Sequence, residues 1–254
     1  VQSVMQNEIS FSPYLAFSIT VDLKDSTKYI PTFGTYEPMM TKDFYASGTT
    51  AQKNSYFKYI KTLLELGGES ADDNAINGFY DFEKALSEKA LNPEDGGNVD
   101  KIYNTFGLKE ISEWFKDADM NKILSDSGVK EEEKILVTNP ELIKEFAHLF
   151  NDSNLEVLKT AAKISLLNGY GGALSTGFTE AADTFNAEYL GISGTYSDEE
   201  RAAMVVSNVM SGYVGEIYAE KYFTPEAKEN VLKMVKNIIS VYKERIAKLD
   251  WMSE

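Results

Sequence analysis

The chain has 254 residues, 43% of them hydrophobic, which is enough to bury a substantial core as one large domain or two lobes and places it in the folded globular class. Forty acidic against twenty-five basic side chains leave a net charge of −15, which works against sequence-independent binding to nucleic acid or anionic lipid, so neither partner is expected. There is no cysteine, so stability must come from packing, and no apolar run approaches the roughly 20 residues that span a bilayer.

In chain order, the first signal is strand periodicity. Leu15, Phe17, Ile19, Val21 and Leu23 occupy alternate positions, Asp25-Ser26-Thr27 follows as a turn, and a second extended run from Lys28 to Phe33 ends at Gly34; the pattern predicts an antiparallel β-hairpin over 14–34. Helical spacing then dominates, giving a helical body over 49–254. Residues 50–66 and 73–90 carry spaced apolar sets separated by Gly67-Gly68, and Asn92-Pro93-Glu94-Asp95-Gly96-Gly97 is the clearest loop. Residues 91–98 are therefore the one candidate sub-boundary, although nothing in the pattern demands two independent cores. Short helices are predicted near 99–106, 108–117 and 119–126. Asn139-Pro140-Glu141 opens another running to Phe150, and Ser153 with Glu156 forms a capping box for a helix to about Asn168. The glycines at 169, 171 and 172 break that helix, and a further one runs to about Leu190. Ser197 and Glu200 form a second capping box, and Thr224-Pro225-Glu226 opens a long final helix. Its apolar positions Val231, Val235, Ile238, Tyr242, Ile246 and Leu249 step by three or four, which predicts one buried face with Lys233, Lys236, Lys243 and Glu244 largely off it. The fold class expected is mainly α, with a small antiparallel hairpin near the N-terminus.

Several segments approach known site motifs and miss. Gly172 to Thr179 has the glycine spacing of a phosphate loop, but Phe178 stands where the lysine is required and a helix precedes it instead of a strand, so it reads as a helix-to-helix connection. Asp117, Asp119 and Asn121 begin a calcium loop, but Lys122 replaces the glycine and Gly128 the bidentate glutamate; helix-start carboxylates are the simpler reading. Glu131-Glu132-Glu133 reads as a solvated face, Asn151-Asp152-Ser153 is a glycosylation sequon relevant only to a eukaryotic secretory setting, and Tyr213, Tyr218 and Tyr222 recur at helical spacing as core residues with rim hydroxyls. No GxSxG is present, which disfavours a serine hydrolase.

The wording from Ile217 to Lys228, Ile-Tyr-Ala-Glu-Lys-Tyr-Phe-Thr-Pro-Glu-Ala-Lys, and from Arg245 to Met252, Arg-Ile-Ala-Lys-Leu-Asp-Trp-Met, resembles the neprilysin-like zinc metalloendopeptidases of the bacterial endopeptidase O type. Lys24-Asp25-Ser26-Thr27-Lys28-Tyr29-Ile30, followed by Gly34, Pro38 and Asp43-Phe44-Tyr45, is similar to the same family, with Phe44 in place of the first tyrosine of its DYY. The resemblance implies a parent enzyme in which zinc-activated water attacks a peptide carbonyl, with this segment as the helical cap that encloses a cavity and restricts access to short peptides. The family's zinc site requires an HExxH helix. This chain has one histidine, His148, whose place near a helix C-terminus reads as structural. No catalytic, cofactor-binding or metal-binding residue is therefore assigned to this segment, which is expected to be inactive and without a cofactor of its own, zinc belonging to the parent. The chain starts at Val1 and is read as a piece of a larger enzyme whose catalytic zinc domain is the expected partner. The lack of cysteine favours a bacterial source, cytoplasmic or cell-surface and secreted, over the disulfide-linked vertebrate ectodomains. The alternative reading is a stand-alone helical module that binds peptides or proteins without catalysis.

Overall fold

The computed structural model describes residues 11–126, 134–191 and 196–250. The chain separates into two compact units, Val1–Ser193 and Gly194–Glu254.

The first unit begins with the hairpin. Strand β1 (Leu15–Val21) pairs antiparallel with β2 (Tyr29–Thr35), Phe17 opposite Phe33. The turn is held by its own carboxylates: Asp22 accepts from the Lys24 and Asp25 N–H groups, and Asp25 pairs with Lys28 at 2.7 Å, which holds the Asp25 carboxyl down to about 2. Only half of the hairpin is covered. Leu15 and Phe33 lie in the core, whereas Ile19 on the same face of β1 is 74% exposed.

The hairpin is part of a four-stranded sheet, and its two further strands lie within the stretch whose pattern predicts helices. Asn104–Gly107 forms β3 and Lys134–Val137 forms β4, in the order β1-β2-β4-β3, with β4 parallel to β2 and antiparallel to β3. The predicted helix over 99–106 thus stops at Ile102. Ile135, Leu136 and Val137 are all buried, so β4 is covered on both faces and reads as an unbroken apolar run with no alternation to detect.

Around the sheet lie α1 (Lys42–Ser47), α2 (Thr50–Leu66), α3 (Asp73–Lys89), α4 (Val99–Ile102), α5 (Leu108–Trp114), α6 (Met120–Asp126), α7 (Pro140–Leu149), α8 (Leu155–Tyr170) and α9 (Thr176–Leu190). Their starts follow local chemistry. Thr49 and Gln52 make a reciprocal capping box on α2, Asp72 caps α3 and Asn139 caps α7. The Ser153–Glu156 box does not open α8. A 3₁₀ turn over Asp152–Asn154 precedes that helix, and Asn151 accepts from the Asn154 N–H at 3.2 Å. The glycine cluster ends α8 at Tyr170 and forms a second 3₁₀ turn, Gly171–Ala173; α9 terminates at Gly191, whose φ of 66° is the left-handed conformation glycine adopts without strain. The core is continuous, from Leu15 and Phe33 through Tyr56, Ile60, Leu63, Phe79 and Leu86 to Ile111, Phe146 and Ile164.

The second unit contains α10 (Asp198–Val209), α11 (Ser211–Tyr222) and α12 (Pro225–Ile246). Ser197 and Glu200 form the expected capping box, and Thr224 accepts from the Ala227 N–H with Pro225 in the first turn. None of the three helices has a buried residue. This corrects the expectation of a buried α12 face: Ile238 is 55% and Tyr242 62% exposed. Tyr213, Tyr218 and Tyr222 are likewise exposed, Tyr213 at 69%, so they are not core residues within this chain.

Candidate functional site

Two clusters in the first unit combine polar groups with burial or concavity. The first is centred on Glu83. Helix α3 buries Ile76, Phe79, Phe82 and Leu86, and Glu83 occupies the same stripe, four residues after Phe79. Its side chain is 0% exposed. Oε1 accepts from the Tyr36 hydroxyl at 2.6 Å and the Met39 backbone N–H at 2.8 Å; Oε2 accepts from the Tyr45 and Tyr56 hydroxyls, each at 2.5 Å.

These donors come from the connection after β2, from α1 and from α2, so one carboxylate ties three neighbouring segments to α3. All four donors are neutral, and no cation approaches it among the described residues. Burial raises the Glu83 pKa above the ordinary carboxylate value, while the hydrogen bonds from the tyrosines and the Met39 N–H act against that rise. Burial also raises all three tyrosines, and the neighbouring Glu83 pushes them the same way. Enclosed by its donors, the carboxylate has no face open to a substrate. The chemistry of this cluster is cohesion, not proton transfer.

The second cluster lines a groove of about 450 Å³ between α2 and α9. Tyr59 stacks on Phe185 with ring centroids 4.8 Å apart and donates to Asn168 Oδ1 at 2.8 Å. At the other end, Glu188 accepts from Ser55 at 2.7 Å and pairs with Lys58 at 2.5 Å, contacts that hold its carboxyl below the usual value, Lys58 foremost. Gly177 forms part of the lining; a Cβ there would lie 3.1 Å from a Leu66 methyl. The groove has an aromatic wall, and its one hydroxyl–carboxylate contact among the described residues, Ser55 with Glu188, is tied into the ion pair with Lys58. Its recognition chemistry is that of an apolar side chain beside a polar main chain.

The motif-like segments take local roles. Phe178 is buried in the core where a phosphate loop would need lysine, and its N–H donates to the Ser175 carbonyl at the start of α9. Asp119 accepts from the Lys122 N–H at the start of α6, and the Asn121 side chain contacts Ser112 Oγ at 2.8 Å. His148 is exposed in the last turn of α7. Glu131-Glu132-Glu133 lies outside the described residues. No group of three histidine, cysteine or acidic side chains is assembled to hold a metal among the described residues, and the donor set does not fit a zinc site of the family type, so no step of zinc chemistry is assigned to these residues. Glu83 was the residue missed in the sequence; the available signal was a carboxylate in register with the apolar stripe of its own helix.

The N-terminal model of peptidase family M13 matches residues 2–254. The neutral endopeptidase of Lactobacillus helveticus is 26% identical over 261 residues, covering 97% of this chain and 39% of its own length. Two solved structures share the fold: PepO from Lactobacillus rhamnosis, with a TM-score of 0.78 at 17% identity over 99% of this chain and 41% of that one, and the inhibitor-bound zinc metalloprotease of Mycobacterium tuberculosis, with a TM-score of 0.73 at 22% identity over 94% and 37%. The chain thus spans about two fifths of the length of these relatives. Matched by the family model along nearly its whole length, it belongs to peptidase family M13 and represents the N-terminal portion of that family.

Proposed function

We propose that this chain is the helical cap of a zinc endopeptidase that cleaves short peptides, enclosing the reaction cavity and limiting substrate size while the catalytic groups lie elsewhere in the parent polypeptide. The observation that carries the reading is the combination of a family match over residues 2–254 with a sequence containing a single histidine and no cysteine. The parent's zinc would polarise the peptide carbonyl and activate water. The cap's share is steric: a wall of packed helices made rigid by the Glu83 cluster.

The test uses two proteins, the 254-residue chain and the full reading frame from its source. The full product is expected to carry stoichiometric zinc and to cleave a short peptide in a chelator-sensitive manner, whereas the 254-residue chain does neither. Zinc-dependent cleavage by the short chain alone, with contaminating protease excluded, would overturn the reading. So would a source frame that lacks any HExxH segment. The groove between α2 and α9 favours one alternative, a stand-alone peptide-binding module; that reading requires calorimetric binding of short peptides by the 254-residue chain, abolished by Phe185→Ala.

A further inference from the structure

The second unit presents a large apolar surface, most clearly laid out on α12. Successive residues of a helix are rotated by about 100°, so positions can be assigned to an arc. Between residues 229 and 244 the two kinds of side chain do not mix, and the charges that fall on the apolar arc, Lys228 and Arg245, stand just outside that stretch towards the two ends of the helix. Met234 and Val241 stand at one margin, Ile238 and Tyr242 near the centre, Leu232 and Ile239 at the other, together spanning roughly 180° of the circumference. The opposite half is entirely polar, with Lys233, Lys236 and Lys243 beside Glu229 and Glu244. These six residues are exposed, as are Val231 and Val235 between them.

A two-helix seam uses a much narrower stripe, so contact with the same helix of a second copy would leave the margins bare. A half-circumference is the signature of a helix flanked on two sides within a core. An anionic lipid surface is disfavoured by the net charge of −15. Much of the polypeptide in this family lies outside the segment, since the chain covers 39% of the Lactobacillus helveticus enzyme.

We infer that the apolar half of α12 is an intramolecular docking surface, seated against apolar elements of the remainder of the parent M13 polypeptide. The inference rests on the cap reading given above and adds the surface through which the cap is held.

Hydrogen exchange followed by mass spectrometry, on peptides covering 229–244, compares the 254-residue chain with the full-length product. Exchange is expected to be slower in the full-length protein by at least about tenfold, and I238D/Y242D in the full-length protein should return it to the rate seen in the short chain. Equal exchange in the two proteins, with zinc-dependent cleavage present in the longer one, overturns this inference and leaves the cap reading standing; a reading frame without a zinc segment removes both. Strong protection already present in the short chain also overturns it, and sedimentation equilibrium together with flotation on phosphatidylserine vesicles then shows whether a second copy, a lipid surface or, with both negative, the first unit of the same chain is responsible.

Discussion

At the scale of single residues, Glu83 determines how tightly the first unit is held together. Replacing it with leucine removes the shared acceptor of three tyrosine hydroxyls and the Met39 N–H; the Tyr45 and Tyr56 hydroxyls also bond each other, so two or three donors are left without an acceptor, each costing about 1–3 kcal/mol. Glu83→Leu is therefore expected to lower unfolding stability by about 3–5 kcal/mol in urea titration, and Glu83→Gln, which keeps the shape and one acceptor oxygen, by about 1–2 kcal/mol. The pH dependence has a definite sign. Because the folded-state pKa is raised, the folded protein takes up the proton more readily than the unfolded chain; the resulting stabilisation is complete below the unfolded value near 4.5 and is lost as pH rises through the folded value. The stability difference between wild type and Glu83→Gln should accordingly shift in favour of wild type as the pH is lowered from 7 towards 4.5. A difference that stays constant across that range would show that the carboxylate is not the group responsible.

At the scale of elements, β4 is the strand on which the sheet depends, since it lies between β2 and β3 and joins the hairpin to a distant part of the sequence. Ile135 is buried at its centre, and Ile135→Ala is expected to cost about 2–5 kcal/mol, measured as a lowered urea midpoint with an unchanged slope. The elements that announced themselves in the sequence were those with length and punctuation: α2 with its Thr49–Gln52 box, α3 after Asp72, α7 after Asn139-Pro140, and the hairpin with its alternating residues. The two four-residue strands lacked both. Asn104–Gly107 is too short to show a period, and the pairing of Leu136 with Thr32 is a long-range contact that no local pattern encodes. For α12, periodicity identified the apolar side, but a local pattern does not say what covers it. The Glu83 cluster was illegible for a related reason: its donors lie in the connection after β2, in α1 and in α2, and only the tertiary fold brings them to one carboxylate.

At the scale of the whole molecule, the two units differ in what sustains them. Val1–Ser193 contains the continuous core, whereas α10, α11 and α12 bury no residue, so local opening in Gly194–Glu254 requires little loss of packing. Limited trypsin digestion of the 254-residue chain is expected to cleave first within the second unit, at Lys221, Lys233 or Lys236, and then to trim the chain back to a resistant fragment that ends near Arg201; initial cuts within α2 or α3 would contradict this account. Glu83 bears on the first unit in a further way. A buried carboxyl surrounded by neutral donors is tolerable only when its donors are in place, so an arrangement that shifts β2, misdocks α1 or rotates α2 leaves that polar group unpaired in an apolar interior. The carboxylate therefore acts as a proofreader of assembly, rejecting near-native packings that hydrophobic contact alone would accept and leaving the chain one arrangement of its N-terminal half.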